Sequence, residues 1–193
     1  MPNSTYLMNR SAVICGTGTI PVVVSRAGHA TARALAAVRG DDYRSKFLDS
    51  MGAGGYGKVV PGPTGLEWLS HNEDNVAAYI ADEECGFMFS AGGYASLTPL
   101  TAEACSQACA ASVPHDLPLL YIAGDGDPVG DMGRGVRAAA KLAKDAGSVD
   151  VTCTIYEHMR HEILNEEKRA DVFADVAAWL DSSLTRRRFR RSA

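Results

Sequence analysis

Residues 117–165 read LPLLYIAGDGDPVGDMGRGVRAAAKLAKDAGSVDVTCTIYEHMRHEILN and contain one strand–helix–strand unit. The unit opens with a continuous apolar run at 117–123, which predicts a strand buried on both faces at the centre of a sheet. A segment of helical period follows at 131–146. Apolar and polar residues then alternate at 149–155, as in a half-exposed strand at the edge of a sheet. This order of elements predicts an α/β fold with parallel strands.

An acid and a histidine follow the C-terminal ends of these two strands. Asp127 comes after the first strand and, unlike Asp125, it precedes Pro128, which favours an extended backbone and fixes the direction of the residue. After the second strand, His158 and His161 both qualify as a base, and the residue pattern does not choose between them. Loops at the same ends of neighbouring parallel strands lie side by side. We therefore expect a carboxylate–imidazole pair, which is two-thirds of a nucleophilic triad.

The serine that would complete such a triad is missing from the pattern. A G-x-S-x-G turn, which carries the nucleophile in this kind of site, does not occur in these 193 residues. Two metal interpretations of the same loops also fail. Val129 stands where GDGDPVGD would need a third calcium ligand. His158 and His161 do not belong to an H-E-x-x-H helix, so no metal site is predicted.

The sequence before residue 117 predicts one further strand and several helices. Residues 11–15 form a short apolar run that predicts a strand buried on both faces. Two glycine-rich stretches follow, but neither has the strand–turn–helix context of a nucleotide-binding loop, and no cofactor is predicted. After Gly16-Thr17-Gly18, Val22–Val24 are not expected to start a helix, and GAGGYG at 52–57 is interpreted as a flexible loop. Helices are predicted at 29–39, 41–51, 98–112 (starting at Thr98-Pro99) and 172–180.

Five segments resemble the C-terminal half of an α/β-hydrolase in the serine aminopeptidase-like, monoacylglycerol lipase and lysophospholipase group. LLYIAGDGDPVG at 119–130 resembles the strand and acid loop of that group, and YEHMRHEILNE at 156–166 resembles its histidine loop. VFADVAAWLDS at 172–182 resembles the closing helix, and AVICGTG at 12–18 resembles the strand after the nucleophile helix. GLEWLSHNEDNVAAYIADEECGF at 65–87 resembles the lid segment, with its Trp-Leu-Ser and Cys-Gly-Phe landmarks.

The resemblance implies roles for residues that the pattern alone leaves open. It places Asp127 at the position of the triad acid and His161, rather than His158, at the position of the base. Glu162 and Asn165 stand where the family has the usual neighbours of that histidine. The implied activity is that of a serine hydrolase that cleaves a small-molecule or lipid-like carboxylic ester through an acyl-enzyme.

The implied fold is the C-terminal part of an α/β-hydrolase, with about three parallel strands and flanking helices. Residues 1–183 would form this partial domain, with a helical lid insertion at about 41–112. The strand at 11–15 is apolar throughout and needs a neighbour on each side, yet no earlier strand is predicted to supply one. We therefore expect a fragment that lacks an N-terminal half and is inactive alone. The alternative is a non-catalytic α/β module that completes its sheet with a partner strand.

Composition favours a cytoplasmic globular protein. The chain is 46% hydrophobic and 22% charged, and no apolar run approaches the roughly 18 residues of a transmembrane helix. The five cysteines form no CxxC pair and are expected to be reduced, and MPNSTYLMNR at 1–10 lacks the apolar core of a signal peptide. Residues 184–193 carry five of the 19 basic residues and are expected to form a disordered tail. Because stacking aromatics are missing there apart from Phe189, no nucleic-acid partner is predicted.

Overall fold

The computed structural model describes residues 11–191, with side chains up to residue 185. Within that part of the chain, no helix combines the length and apolarity needed to cross a membrane. The strands are β1 (Ala12–Cys15), β2 (Leu119–Gly124) and β3 (Val151–Tyr156). The α-helices are α1 (Val22–Arg39), α2 (Lys46–Met51), α3 (Tyr56–Val59), α4 (Glu73–Ala81), α5 (Ala91–Ala104), α6 (Gln107–Ser112), α7 (Arg134–Asp145) and α8 (Arg169–Arg191).

The three strands form one parallel sheet in the order β1–β2–β3. Leu119 of β2 lies opposite Ala12 of β1 on one side and Val151 of β3 on the other. The predicted α/β class with three parallel strands is confirmed, and β2 and β3 take the central and edge positions expected of them. Among the described residues β1 pairs only with β2, and its Val13 is 37% exposed.

Each face of the sheet is covered by a different part of the chain, because successive side chains of a strand point to opposite faces. On one face, Leu119 packs with Ala143 of α7. On the other face, Leu120 and Ile122 pack with Val172 of α8. The C-terminal ends of β2 and β3 therefore belong to a sheet that is packed against helices on both faces.

Helices α1 to α6 form the connection between β1 and β2, and they have a core of their own. Helices α1 and α5 pack against each other, and small residues at the contact allow their backbones to approach closely. Trp68, Leu69 and Ser70 lie in the same connection and are buried. The buried residues of the α1–α5 cluster are Ala32, Ala36, Leu48, Ala91, Tyr94 and Ala95.

Helix α5 corrects the prediction that a helix starts at Thr98-Pro99. It begins at Ala91, with the Ser90 hydroxyl capping the N–H of Gly93, and it passes through Pro99. Proline deprives the carbonyl four residues earlier of its helical partner. That carbonyl, on Ala95, instead lies 2.9 Å from Nδ1 of His29, which satisfies it from α1. The predicted helix at 98–112 is also divided, because α5 ends at Ala104 and α6 begins after the Ser106 cap.

Three further boundaries differ from the sequence prediction. Val22–Val24 form the first turn of α1, where buried Ser25 donates to the Thr98 carbonyl at 2.7 Å, and this tertiary contact outweighs the strand preference of the valines. GAGGYG at 52–57 is not an open loop, since it forms a 3₁₀ turn that leads into α3. The helix predicted at 41–51 starts at Lys46, because the Ser45 side chain caps it.

Helix α8 also extends beyond its prediction. The expected disordered tail begins at residue 184, whereas α8 continues to Arg191. Of the apolar residues on which the helix was predicted, Val172, Val176 and Trp179 pack against the sheet, and the Trp179 indole N–H donates to Thr152 at 3.2 Å. Phe173, from the same predicted set, is 52% exposed. The basic residues at 186–191 thus prolong a helix that is anchored by its first half.

Gly124, at the end of β2, is the glycine on which the placement of the following loops depends most. A Cβ there would overlap the backbone carbonyls of Met159 and Arg160, which are unable to move away without displacing the segment that carries His161. We expect Gly124→Ala to lower the free energy of unfolding by about 3 kcal/mol. Urea unfolding of the purified chain measures this change.

Gly28→Ala is the matched control, because Gly28 lies inside α1 and a Cβ there would make an ordinary 3.6 Å contact with Thr98. Alanine favours a helix interior, so this variant is expected to gain about 0.5–1 kcal/mol. Equal effects of the two substitutions would contradict the packing at Gly124.

Candidate active site

The first loop of the site follows β2 and carries Asp127. The N–H of Asp125 donates to the Tyr156 carbonyl at 2.9 Å, which ties the start of the loop to the end of β3. Asp127 is fully buried, and its Oδ1 accepts the N–H of Val129 at 2.8 Å. This local turn fixes the carboxylate, so that Oδ2 is presented to the next loop.

The second loop follows β3 and holds His161 between backbone and ring contacts. Its N–H donates to the Trp68 carbonyl at 3.3 Å, and the N–H of Glu162 donates to the Leu69 carbonyl at 2.8 Å. The Trp68 ring lies 5.4 Å from the imidazole, centroid to centroid. Gly16 lies on another side of the imidazole. Its φ is +65°, and a Cβ there would be 3.1 Å from the imidazole Cε1. A side chain at that position would thus be strained and would crowd the imidazole.

The two loops bring Asp127 and His161 into direct contact. Nδ1 of His161 lies 3.1 Å from Oδ2 of Asp127. Because a carboxylate only accepts hydrogen bonds, Nδ1 is the donor and Nε2 of the neutral ring is left as an acceptor. The imidazole is 28% exposed while the carboxylate is fully buried, so the base is accessible and the acid is not. This arrangement is able to take a proton from a hydroxyl group placed at Nε2.

A cavity of about 230 Å³ adjoins the imidazole. It includes the Cys15 thiol, at the end of β1, and the apolar residues Ile163 and Leu164. Desolvation and, secondly, the negative charge of Asp127 raise the pKa of this thiol. A thiol with a raised pKa stays protonated, which disfavours Cys15 as a nucleophile. The residues that line the cavity are Cys15, Gly16, His161, Glu162, Ile163, Leu164 and Asn165.

Tyr56 and Trp68 extend the site on the side of the helical connection. The Tyr56 and Trp68 rings lie 5.1 Å apart, so that Tyr56, Trp68 and His161 form a row of aromatic rings. Burial and, secondly, the charge of Asp127 raise the pKa of the Tyr56 phenol, which remains protonated at neutral pH. The sequence analysis marked Trp68 as a lid landmark, and it did not single out Tyr56, within the glycine-rich GAGGYG.

The other candidate residues have different partners. Oδ1 of Asp125 accepts the N–H of His158 at 2.8 Å, and His158 is an exposed residue with φ +56°. This contact shapes the turn between β3 and His161. Glu162 accepts from the side-chain amides of Asn75, at 2.5 Å, and Asn165, at 3.0 Å, which joins it to α4. Within the histidine loop, Glu162 and Asn165 are thus bonded to each other, and Glu162 connects the loop to α4.

One buried acid was missed by the sequence reasoning. Glu166 is 2% exposed, and its carboxylate accepts the N–H groups of Arg160 and His71. No periodicity or motif marks a charged residue in a loop as buried, so the pattern held no signal for it. Among residues 11–191, no three or more His, Cys, Asp or Glu side chains are grouped so as to hold a metal ion.

Known structures share this architecture. The chain is similar to a thermostable carboxyl esterase from Bacillus coagulans, with a TM-score of 0.79 and 22% identity over 90% of this chain and 56% of that one. It is similar to a lipase in its open form, with a TM-score of 0.75 and 27% identity over 89% and 56% of the two chains. A monoacylglycerol lipase from Paleococcus ferrophilus gives a TM-score of 0.57 and 20% identity over 90% and 59%. The chain thus spans little more than half the length of these proteins.

The parallel sheet, with an acid and a histidine at the ends of neighbouring strands, defines the C-terminal part of an α/β-hydrolase fold. A search of curated protein sequences gave no match. The family model for serine aminopeptidase, S33, matches residues 25–168, and the chain belongs to that family. The family and fold expected from the sequence are confirmed.

Proposed function

We propose that this chain supplies the acid and the base of a serine-hydrolase triad that cleaves lipid-like carboxylic esters. The observation that carries the proposal is the 3.1 Å contact between Asp127 and the proton-bearing nitrogen of His161. The lysophospholipase and monoacylglycerol lipase type of substrate is supported by the exposed apolar side chain of Leu164, which lines the cavity beside the imidazole. It is also supported by the similarity to solved proteins named carboxyl esterase, lipase and monoacylglycerol lipase.

In the proposed reaction His161 acts at Nε2. It takes the proton of a serine hydroxyl as the oxygen attacks the ester carbonyl, and it returns that proton to the leaving alcohol. Asp127 keeps the proton on Nδ1 and stabilises the imidazolium that forms. Water then attacks the acyl-enzyme by the same route, and the acid is released. The surrounding Trp68 ring and Gly16 backbone limit the rotation of the imidazole during these transfers.

The nucleophile is proposed to come from polypeptide that pairs with the edge of β1 opposite β2, an edge to which none of the strands at 11–191 is bonded. Val13 is 37% exposed on this strand, and the exposed side chains of Val22, Val23 and Val24 follow at the start of α1. Apolar side chains beside an unpaired strand edge favour the addition of another strand. Gly16, directly after β1, lies beside the imidazole, since a Cβ there would be 3.1 Å from Cε1. A strand added to β1 would therefore lie near the base. The 193-residue chain is proposed to be inactive by itself.

The same edge supports the alternative that the chain is a non-catalytic module completed by a partner strand. The two proposals differ in the effect expected when that strand is added. A hydrolase gains esterase activity when the added polypeptide carries a G-x-S-x-G turn, whereas a structural module gains only stability.

All five cysteines are free, which supports the proposed cytoplasmic location.

A fluorophosphonate probe tests the proposed function. Such a probe reacts with a serine that a neighbouring histidine activates. Because the 193-residue chain has no G-x-S-x-G serine, we expect it not to be labelled. The same residues joined to the nucleophile-bearing segment are expected to label at the G-x-S-x-G serine. Labelling of the 193-residue chain at any of its own serines would overturn the assignment of the nucleophile.

The DNA before the Met1 codon provides an independent check. If a nucleophile turn is encoded in any frame within several hundred bases, the extended reading frame is the hydrolase to express. If none is encoded there, and the isolated chain purifies as a stable monomer or defined complex, the non-catalytic module is favoured instead.

A further inference from the structure

The Glu166 carboxylate is a buried polar group outside the acid–histidine pair, and it accepts hydrogen bonds from several donors at once. Its Oε1 accepts the N–H of Arg160 at 2.8 Å, the N–H of His71 at 3.0 Å and Nδ1 of His71 at 3.1 Å. Its Oε2 lies 3.1 Å from the same His71 N–H. The only charged partner found for it among the described side chains is His71, which is cationic only when protonated.

This carboxylate is ionised near neutral pH although it is buried. Burial by itself raises the pKa of Glu166, but the N–H groups of Arg160 and His71 and the His71 ring together hold the pKa below its usual value. A buried carboxylate is tolerated only when such donors replace its lost hydration. Glu166 therefore constrains the two backbone segments that provide the donors.

Those two segments are the ones that enclose His161. Arg160 immediately precedes the histidine, and His71 immediately follows Trp68, Leu69 and Ser70. The N–H groups of His161 and Glu162 donate to carbonyls of the segment at 67–71. The Arg160 guanidinium also binds this segment, at 2.7 Å from the Glu67 carbonyl and 3.3 Å from the Ser70 carbonyl. Glu166 joins the two segments at His71, the last residue of the segment at 67–71, because its one carboxylate binds the N–H groups of both His71 and Arg160.

We infer that Glu166 is a positioning residue for His161. Its carboxylate fixes the backbone before the histidine and the segment at 67–71 as one unit, so that the Trp68 ring packs on the imidazole and Nδ1 stays directed at Asp127. Glu166 touches neither reacting group and acts through Arg160 and His71. The inference rests on the proposed role of His161, but it concerns the geometry of the pair, which is measurable without hydrolysis.

The experiment uses ¹⁵N-labelled 193-residue chain and the low-field NMR signal of the Nδ1 proton that His161 shares with Asp127. Asp127→Asn identifies this signal, which should disappear in that variant. In Glu166→Gln we expect the proton to exchange with water at least about tenfold faster, the factor that corresponds to loss of one charge-assisted hydrogen bond. Glu167→Gln removes the same charge from the exposed neighbouring residue and should leave the exchange rate unchanged.

Each outcome has a distinct meaning. An unchanged rate in Glu166→Gln, with the signal lost in Asp127→Asn, overturns the positioning role and leaves the proposed function standing. A low-field His161 signal that is unchanged in Asp127→Asn overturns the pair itself and therefore the proposed function. An equal effect of Glu166→Gln and Glu167→Gln would mean that only charge matters, which also overturns the inference.

If Glu166→Gln fails to fold, native-state hydrogen exchange of the unmodified chain tests the same inference. The amides of His71, Arg160 and Glu162 are expected to open together, with protection factors that agree within about threefold. Independent exchange of the His71 amide would show that Glu166 does not hold the two segments as one unit.

Discussion

Replacing His161 by asparagine is expected to lower kcat about a million-fold in the polypeptide that contains both these residues and the nucleophile serine. Asparagine retains an N–H donor for Asp127, but it has no nitrogen that accepts and returns a proton near neutral pH. The serine would then remain a hydroxyl with its ordinary, weak nucleophilicity. Initial rates with a p-nitrophenyl ester measure the effect, and loss of fluorophosphonate labelling locates it at the first step.

His158→Asn is the matched control for this prediction. His158 is exposed, and its left-handed backbone conformation, with φ +56°, is one that asparagine tolerates. Its rate should stay within about twofold of the unmodified enzyme, which is the scatter expected of a neutral surface substitution. If the two substitutions exchanged their effects, His158 would be the base and the contact at Asp127 would be structural.

Asp127→Asn is expected to lower kcat about ten-thousand-fold in the same polypeptide. The asparagine carbonyl is able to keep the 2.8 Å contact with the N–H of Val129. The amide NH₂ then faces Nδ1 of His161, which must become an acceptor, and the proton moves to Nε2. A ring protonated at Nε2 cannot take the proton of the serine, so the loss appears in kcat rather than in KM.

Asp125→Asn separates this effect from a general loss of charge in the loop. Asp125 is exposed and two residues from Asp127, and an asparagine there keeps an acceptor for the N–H of His158. We expect its kcat to change by no more than about threefold. A comparable loss in Asp125→Asn and Asp127→Asn would indicate that loop charge, and not the tautomer of His161, controls the rate.

The sequence was informative where elements that pair in space are also consecutive in the chain, as β2 and β3 are. The run at 117–123 and the alternation at 149–155 gave the central and edge strands, since burial on two faces or one leaves a direct mark on residue type. The acid and histidine loops follow from the same topology, and the 3.1 Å contact of Asp127 with His161 agrees with it. The choice of His161 over His158 needed the family resemblance, because both follow β3.

Contacts between distant segments left no such mark. The start of α1 at Val22 depends on Ser25 reaching Thr98, and the passage of α5 through Pro99 depends on His29 reaching Ala95. Local propensity favours a different structure in both places, and it is outweighed by partners some seventy residues away. Glu166 was missed for the same reason, since its donors on His71 lie in another part of the chain.

The position of β1 has a consequence for how the protein folds. β2 pairs with β3 across a short helical crossover, whereas β1 meets β2 only after roughly a hundred intervening residues have been brought together. Pairings that close long loops form slowly, so β1 is expected to join the sheet last. Gly16, which bounds the imidazole, arrives with that strand. His161 and Asp127 would therefore meet early in folding, while the enclosed site is completed only in the final, slowest step.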